Sequence, residues 1–131
     1  MKSLSRGFTI VEIMIVVAIL SIISMLAIPA YQGYIETARR ATAQANIEPL
    51  RIALEDFRLD NPATGYANTD GTNRNETWDP AGVKTLETGS LGWKPDGDKD
   101  AYVYNLAATA ATYTITVTPI GHAADVQTFT K

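Results

Sequence analysis

The chain has no cysteine, one histidine and only 11 basic residues among 131. Without cysteine there is no disulfide, no thiol nucleophile and no thiolate metal site. His122 stands alone in a Gly-containing turn. One imidazole without a cysteine set cannot hold zinc, and no Ser/His/Asp spacing supports a hydrolase. No catalytic constellation is present, so an enzyme is not expected, and no cofactor is expected either. Lys and Arg are outnumbered by 14 acids, giving a net charge of −3. A nucleic-acid groove needs clustered cations, so no direct nucleic-acid binding is expected. The length suits one domain of ordinary size and is too short for two.

The apolar residues, 46% of the chain, crowd into the first thirty positions. The chain opens Met1-Lys2-Ser3-Leu4-Ser5-Arg6-Gly7, with two positive charges and no acid. From Ile13 to Ile28 it is almost unbroken Ile, Val, Leu, Ala and Met, interrupted by Ser21 and Ser24. Phe8 to Ala30 supplies roughly the 20 residues that a bilayer-spanning helix needs. Lys2 and Arg6 on the leading side predict a cytoplasmic N-terminus, with the rest of the chain outside the inner membrane. A secretory signal has a shorter apolar core followed by a small-x-small site. Here the run is longer, and Pro29-Ala30-Tyr31-Gln32 follows it.

An uncleaved anchor predicts no particular residue at the head of the run, yet Gly7, Phe8 and Glu12 stand there. An acid inside a membrane helix costs about 2.5–3.5 kcal/mol and usually has a partner. A cut between Gly7 and Phe8 would supply one, an α-amino group four residues before Glu12. With a reference pKa of ~7.7–8.0, that amine is largely protonated at neutral pH. Among parallel helices, the amine of one subunit would pair with Glu12 of a neighbour and fix stagger and register.

Arg6-Gly7-Phe8-Thr9-Ile10-Val11-Glu12 closely resembles the class III signal of type IV prepilins and related pseudopilins. The resemblance covers roughly residues 1–60. It implies cleavage after Gly7 and N-methylation of Phe8 by prepilin peptidase, and a Glu12 that acts in assembly. Pro29 falls where pilins carry a helix-bending proline, the Tyr31/Tyr34 pair matches the aromatic positions beyond it, and Pro49 matches a second helix proline of type IVa pilins. The partners so implied are further copies of the chain in a helical homopolymer, other pilins, the peptidase, the inner-membrane assembly machinery and the membrane before assembly. Loss of Lys2 and Arg6 with the leader would leave the subunit more acidic. The implied locations are the inner membrane before assembly, single-pass with the N-terminus inside, and the extracellular pilus afterwards.

The helical pattern continues beyond the apolar run. Ile47, Leu50, Leu54 and Phe57 recur at three, four and three, which places them on one face. Ala38, Ala41 and Ala45 are expected to extend that stripe. Glu36, Glu48, Glu55 and Asp56 alternate with Arg39, Arg40, Arg51 and Arg58, as on a solvated face. Pro29 and Pro49 should kink or locally melt the helix, and a bent but intact helix fits equally. Asp60-Asn61-Pro62 ends it.

The organisation expected is therefore 1–7 leader, 8–30 transmembrane or filament-core helix, 31–60 amphipathic half, 61–98 long loop and 99–131 sheet, with 31–131 one globular head. Strands are read at 101–106, 113–118 and 126–130 from their alternation and β-forming residues. The fold class is α+β: a long N-terminal helix with a protruding hydrophobic half, and a packed half under a small antiparallel sheet of three or four strands. Trp78 and Trp93 should pin the 61–98 loop to the core. Pilins commonly close a C-terminal loop with a disulfide, which this chain cannot do, and edge pairing of the last strand is the substitute expected.

Asp96, Asp98 and Asp100 alternate like the first half of a calcium loop. Ala101 and Ala107 stand where the signature wants Gly and Glu, which favours a solvated acidic turn over a metal site. Asn75-Glu76-Thr77 fits the minimal glycosylation sequon, a triplet common by chance. The leading functional reading is a structural subunit of a type IV pilus serving adhesion, twitching motility or DNA uptake. A type II secretion pseudopilin, a periplasmic piston subunit, is the alternative within the superfamily. A membrane-anchored binding module that never polymerises is the alternative outside it.

Overall fold

A computed structural model describes residues 7–97, 101–121 and 126–131. Helix α1 runs Ile10–Asp60 and is followed by strand β1 (Arg74–Trp78), the four-residue helix α2 (Thr85–Thr88) and strands β2 (Tyr102–Ala108), β3 (Tyr113–Pro119) and β4 (Gln127–Thr130). By compactness the chain divides into Met1–Ala38 and Arg39–Lys131, and each unit is described by itself.

In the first unit every residue from Gly7 to Tyr34 is exposed. The helix is long and apolar enough to cross a bilayer. Ser21 disturbs that run little, because its hydroxyl donates to the Val17 carbonyl at 2.7 Å. A polar group satisfied by its own helix needs no water. Helical structure is continuous through Pro29 and, in the second unit, through Pro49. Of the two outcomes expected at these prolines, the helix is intact at both and melted at neither.

In the second unit α1 buries Ala43, Asn46, Ile47, Leu50 and Leu54. The small-residue stripe differs from expectation: Ala38, Ala41 and Ala45 are exposed, and Ala43 is the alanine that faces inward. The helix ends where Asn61 gives both its backbone N–H (3.0 Å) and its side-chain amide (2.9 Å) to the Phe57 carbonyl. Pro62 then bars a further turn.

The sheet is antiparallel throughout, in the order β1-β2-β3-β4. Alternation along β2 and β3 turns Tyr102, Tyr104, Leu106, Ala108, Tyr113, Ile115 and Val117 into one cluster with the buried face of α1. Leu50, Leu54, Ile115 and Val117 have no measurable exposure. Aromatic edges lock the ends of this core. Tyr66 meets Tyr113 edge-on at 5.0 Å between ring centres, and Trp93 meets Tyr104 at 5.1 Å. Trp78 and Trp93 are both buried.

The segment 61–98, expected as loop, contains β1 and α2, so the sheet has a strand from outside 99–131. The strand went unread because its inward residues are Arg74 and Trp78, with no aliphatic alternation. Arg74 has no measurable exposure. Its guanidinium donates to the carbonyls of Tyr66 and Ala67, to Ser90 Oγ at 2.8 Å and to Glu76 Oε1 at 2.6 Å. It also lies 4.3 Å from the centre of the Phe57 ring. Burial pushes the Glu76 carboxyl up, and Arg74 offsets part of that. Arg74 thus ties α1, the 66–67 turn, β1 and the segment after α2 together. Gly65, at φ 63°, permits the tight approach of that turn to the Ala110 carbonyl, where any side chain would collide.

The far end of the sheet closes without a disulfide. β4 pairs with β3 as expected of the last strand, and the Lys131 N–H extends the ladder to the Tyr113 carbonyl at 3.1 Å. The Lys131 ammonium pairs with Glu55 on α1. Glu55 also accepts from the Tyr66 hydroxyl at 2.8 Å and pairs with Arg58 at 3.3 Å. Among the polar groups of the core, Asn46 works as a clamp. Its amide donates to the Asp96 carbonyl and accepts the Asp96 N–H, both at 2.9 Å, and so binds the 94–97 segment to α1.

Two expectations follow. Removing one member of a buried ion pair strands the other, so Arg74→Ala should cost about 3–5 kcal/mol. The double change Arg74→Met with Glu76→Leu should recover most of it, as read by thermal unfolding of the full chain in detergent. The Lys131 and Tyr66 hydrogen bonds hold the Glu55 carboxyl below its ordinary value of 4.5. A depressed carboxyl stabilises the fold above its unfolded-state value, and the contribution is lost as pH falls through the folded-state value. Amide protection in β4 should therefore drop below about pH 4.5, and Glu55→Gln should flatten that dependence.

Candidate processing and assembly site

Gly7 and Phe8 precede the helix. Phe8 is 80% exposed, and nothing lies within 4 Å of the place a Gly7 side chain would occupy. The peptide bond between them is outside regular structure, which is the condition a protease needs to seat an extended substrate. The residues before Gly7, Lys2 and Arg6 included, lie outside the described residues.

Thr9 is the N-cap. Its hydroxyl accepts the Glu12 N–H at 3.2 Å, and a Glu12 carboxylate oxygen accepts the Thr9 N–H at 3.4 Å. This reciprocal pair is a capping box, which satisfies two of the orphan donors of the first turn. It also sets the carboxylate at the positive end of the helix dipole. The sequence carried the signal as Thr9-x-x-Glu12 directly before an apolar run, and the reading of Glu12 as an intermolecular partner passed over it. Thr9 is the residue that reading missed. The two roles are compatible, because the cap uses one oxygen and a carboxylate has two. A cation near Phe8 would meet a carboxylate already aimed along the N-terminal rim of the helix.

The other expected site residues are scattered. Pro29 is exposed beside a shallow hollow lined by Ala27, Ile28, Tyr31, Gln32 and Ile35, and both Tyr31 and Tyr34 are exposed. Pro49 is exposed in the second unit. Asp96 spends its backbone on Asn46 and one carboxylate oxygen on the Gly97 N–H. Asp98, Asp100 and His122 lie outside the described residues. Among those described, no three acidic or histidine side chains gather where a metal could sit. Asn75 of the sequon is exposed in β1, and the Thr77 hydroxyl donates to Asn105.

Two family models match. The prokaryotic N-terminal methylation motif matches residues 2–28, and a model described as type IV minor pilin ComP, DNA uptake sequence receptor, matches residues 29–128. Among curated proteins, a type IV major fimbrial protein FimA of Dichelobacter nodosus is 43% identical over 65 residues, half of this chain and 42% of that protein. Another FimA of that organism is 39% identical over 89 residues, 66% of this chain and 55% of the relative. A fimbrial protein of the same organism is 33% identical over 118 residues, 73% of this chain and 74% of its own length. The chain thus spans about half the length of the FimA relatives. No solved structure matches it.

The capping box makes its own prediction. Thr9→Val should cost about 1 kcal/mol of N-terminal helix stability. Hydrogen exchange at Ile13 and the residues just before it should speed up accordingly in the full chain in micelles. Thr9→Ser should leave exchange unchanged. Equal exchange in the Val variant and the parent would remove the cap.

Proposed function

Because the chain belongs to the type IV pilins, in the family described as type IV minor pilin ComP, DNA uptake sequence receptor, we propose that it is cut between Gly7 and Phe8, N-methylated at Phe8, and polymerised through α1. The observation that carries this reading is the order of features at the N-terminus. A junction outside the helix is followed at once by the Thr9–Glu12 cap and then by an apolar stretch of α1 that is exposed from Ile10 to Tyr34.

Before assembly the membrane covers that helix, and the leader stays on the cytoplasmic side. Phe8, Ile10, Met14 and the aliphatic residues behind them have no cover within the chain. In the polymer, neighbouring copies take the place of lipid. The amine freed at Phe8 meets the Glu12 carboxylate of an adjacent subunit. In low dielectric that contact is strong, and an unmatched partner is costly, so it selects one stagger among the many that apolar packing allows. Pro29 and Pro49 each remove one backbone hydrogen bond, which gives the packed helices sites at which to bend. Prepilin peptidase and the inner-membrane assembly machinery are the partners this route requires. Adhesion, twitching motility and DNA uptake are tasks for the finished fibre, outside the inner membrane.

The family description names a DNA uptake sequence receptor. We keep the structural role for this chain, whose acids outnumber its Lys and Arg residues by 14 to 11. Binding to a phosphate backbone draws on cations free to replace counterions.

Intact mass spectrometry of material sheared from cells tests the proposal. The expected species begins at methylated Phe8 and is abundant in the sheared fraction. Gly7→Val should leave the precursor uncut. Glu12→Ala should be cut normally yet lose filaments at least about tenfold, as expected when a buried charge loses its partner. A wild-type mass that starts at Met1 would leave a simple anchor, and the mature mass confined to membranes would favour a pseudopilin.

A further inference from the structure

The chain contains two Asp-Gly pairs, Asp70-Gly71 and Asp96-Gly97, and no Asn-Gly. A glycine after an aspartate leaves the next backbone nitrogen with no side chain to shield it, so the aspartate carboxyl can close onto that nitrogen. Both pairs are exposed, and both glycines have positive φ, 82° at Gly71 and 76° at Gly97. Sequence, exposure and backbone region therefore do not separate the two. Hydrogen bonding does.

At the first pair the carboxylate is held away from its glycine. Asp70 Oδ1 accepts the Thr72 N–H at 2.9 Å and the Thr72 hydroxyl at 2.6 Å. These bonds hold the Asp70 carboxyl below its ordinary value, in the ionised form that resists attack. The Gly71 N–H is spent on the Asn68 carbonyl at 2.8 Å. At the second pair the two reacting groups face each other. The Gly97 N–H donates to Asp96 Oδ1 at 2.8 Å, and among the described residues neither group has another partner. The torsion that turns a carboxyl about its Cβ–Cγ bond is soft, so a small rotation presents Cγ to the nitrogen. Asn46 holds the Asp96 N–H and carbonyl, both at 2.9 Å, which fixes the backbone of Asp96 while its side chain turns.

We propose that Asp96-Gly97 is a self-modification site, which converts to isoaspartate through a cyclic imide while Asp70-Gly71 is spared. The Gly97 nitrogen bonds to Asp96 Cγ, the Cγ–OH bond of the protonated carboxyl breaks, and that hydroxyl leaves with the amide proton as water. A second water then opens the ring at the former backbone carbonyl. Gly97 is left attached through Cγ, and the old carbonyl of Asp96 becomes the free carboxylate. No enzyme, oxidant or cofactor enters, since holding the reacting atoms together supplies the acceleration. Charge is the same before and after, but the backbone gains one methylene, about 1.5 Å. That length enters where the chain has no slack. A side chain on Gly97 would come within 3.1 Å of the Thr42 methyl on α1, so the glycine lies close against the helix. The new carboxylate keeps the Asn46 amide as its donor, while Gly97 loses its seat against Thr42. Converted copies accumulate with time, so the site records the age of each subunit.

The test is to age the full chain in detergent micelles, beside the same material in urea that unfolds residues 39–131. Peptide mapping with electron-transfer dissociation distinguishes aspartate from isoaspartate at each position, and the imide is read as the loss of one water. In the folded chain, isoaspartate should form at Asp96 at least about tenfold faster than at Asp70, a barrier difference of ~1.4 kcal/mol. In urea both sites should react, at rates within about threefold of each other, because only the fold separates them. As Asp96 converts, the Asn46 side-chain amide should shift in NMR spectra while Ile115 and Val117 stay in place. Asp96→Glu, which would need a larger ring, should leave the Asn46 amide unmoved over the same period. The proposal is overturned if Asp70 keeps pace with Asp96 in the folded chain, or if Asp96 reacts only in urea. A preference for Asp96 that persists undiminished in urea would overturn it equally, since local sequence would then be the cause.

Discussion

Burial of one face of α1 beneath β2 and β3 is the constraint on which residues 39–131 depend. A helix presents a stripe every three or four residues and a strand presents every second one. Ile47, Leu50 and Leu54 satisfy the first rule, and Tyr104, Leu106, Ile115 and Val117 satisfy the second. Once these faces meet, the chain between them has little freedom left. The 61–97 segment crosses from the end of α1 to the sheet edge, where it lays down β1, and Tyr66, Trp78 and Trp93 join the buried cluster. The polar groups carried inward by that crossing are then matched one by one. Arg74 collects four acceptors, and Asn46 pairs with Asp96 much as a neighbouring strand would.

This division explains what the sequence disclosed. The long helix, the inward residues Ile47, Leu50 and Leu54, and β2 to β4 were legible because periodicity is a local property. Pro62 and Asn61 likewise marked the end of α1 through local stereochemistry. β1 was not legible. A strand reading Arg-Asn-Glu-Thr-Trp is inward-facing only because Phe57, Ser90 and two carbonyls of the 66–67 turn happen to surround its arginine, and those partners are remote in sequence. The alanines failed for a related reason. Ala38, Ala41 and Ala45 keep helical spacing as faithfully as Ala43 does, and small side chains carry too little apolar surface to decide which way they face.

At the N-terminus the balance was reversed. Gly7, Phe8 and Glu12 stood out as residues without a structural excuse, and the family match falls on that stretch. The structure supplied an ordinary reason for Glu12, its bond to Thr9, without displacing the special one. A single carboxylate caps the start of the helix with one oxygen and has a second outside that bond. The same economy recurs at Glu55, which holds the last strand, a tyrosine of the rim and an arginine of its own helix.

The closure at Lys131 sets a timescale. A covalent staple, once formed, commits a domain until an oxidoreductase undoes it. Here the last strand is held by four ladder pairs and an ion pair on the rim of the core, interactions that break and re-form without chemistry. Residues 39–131 can therefore complete their fold with no oxidant to wait for.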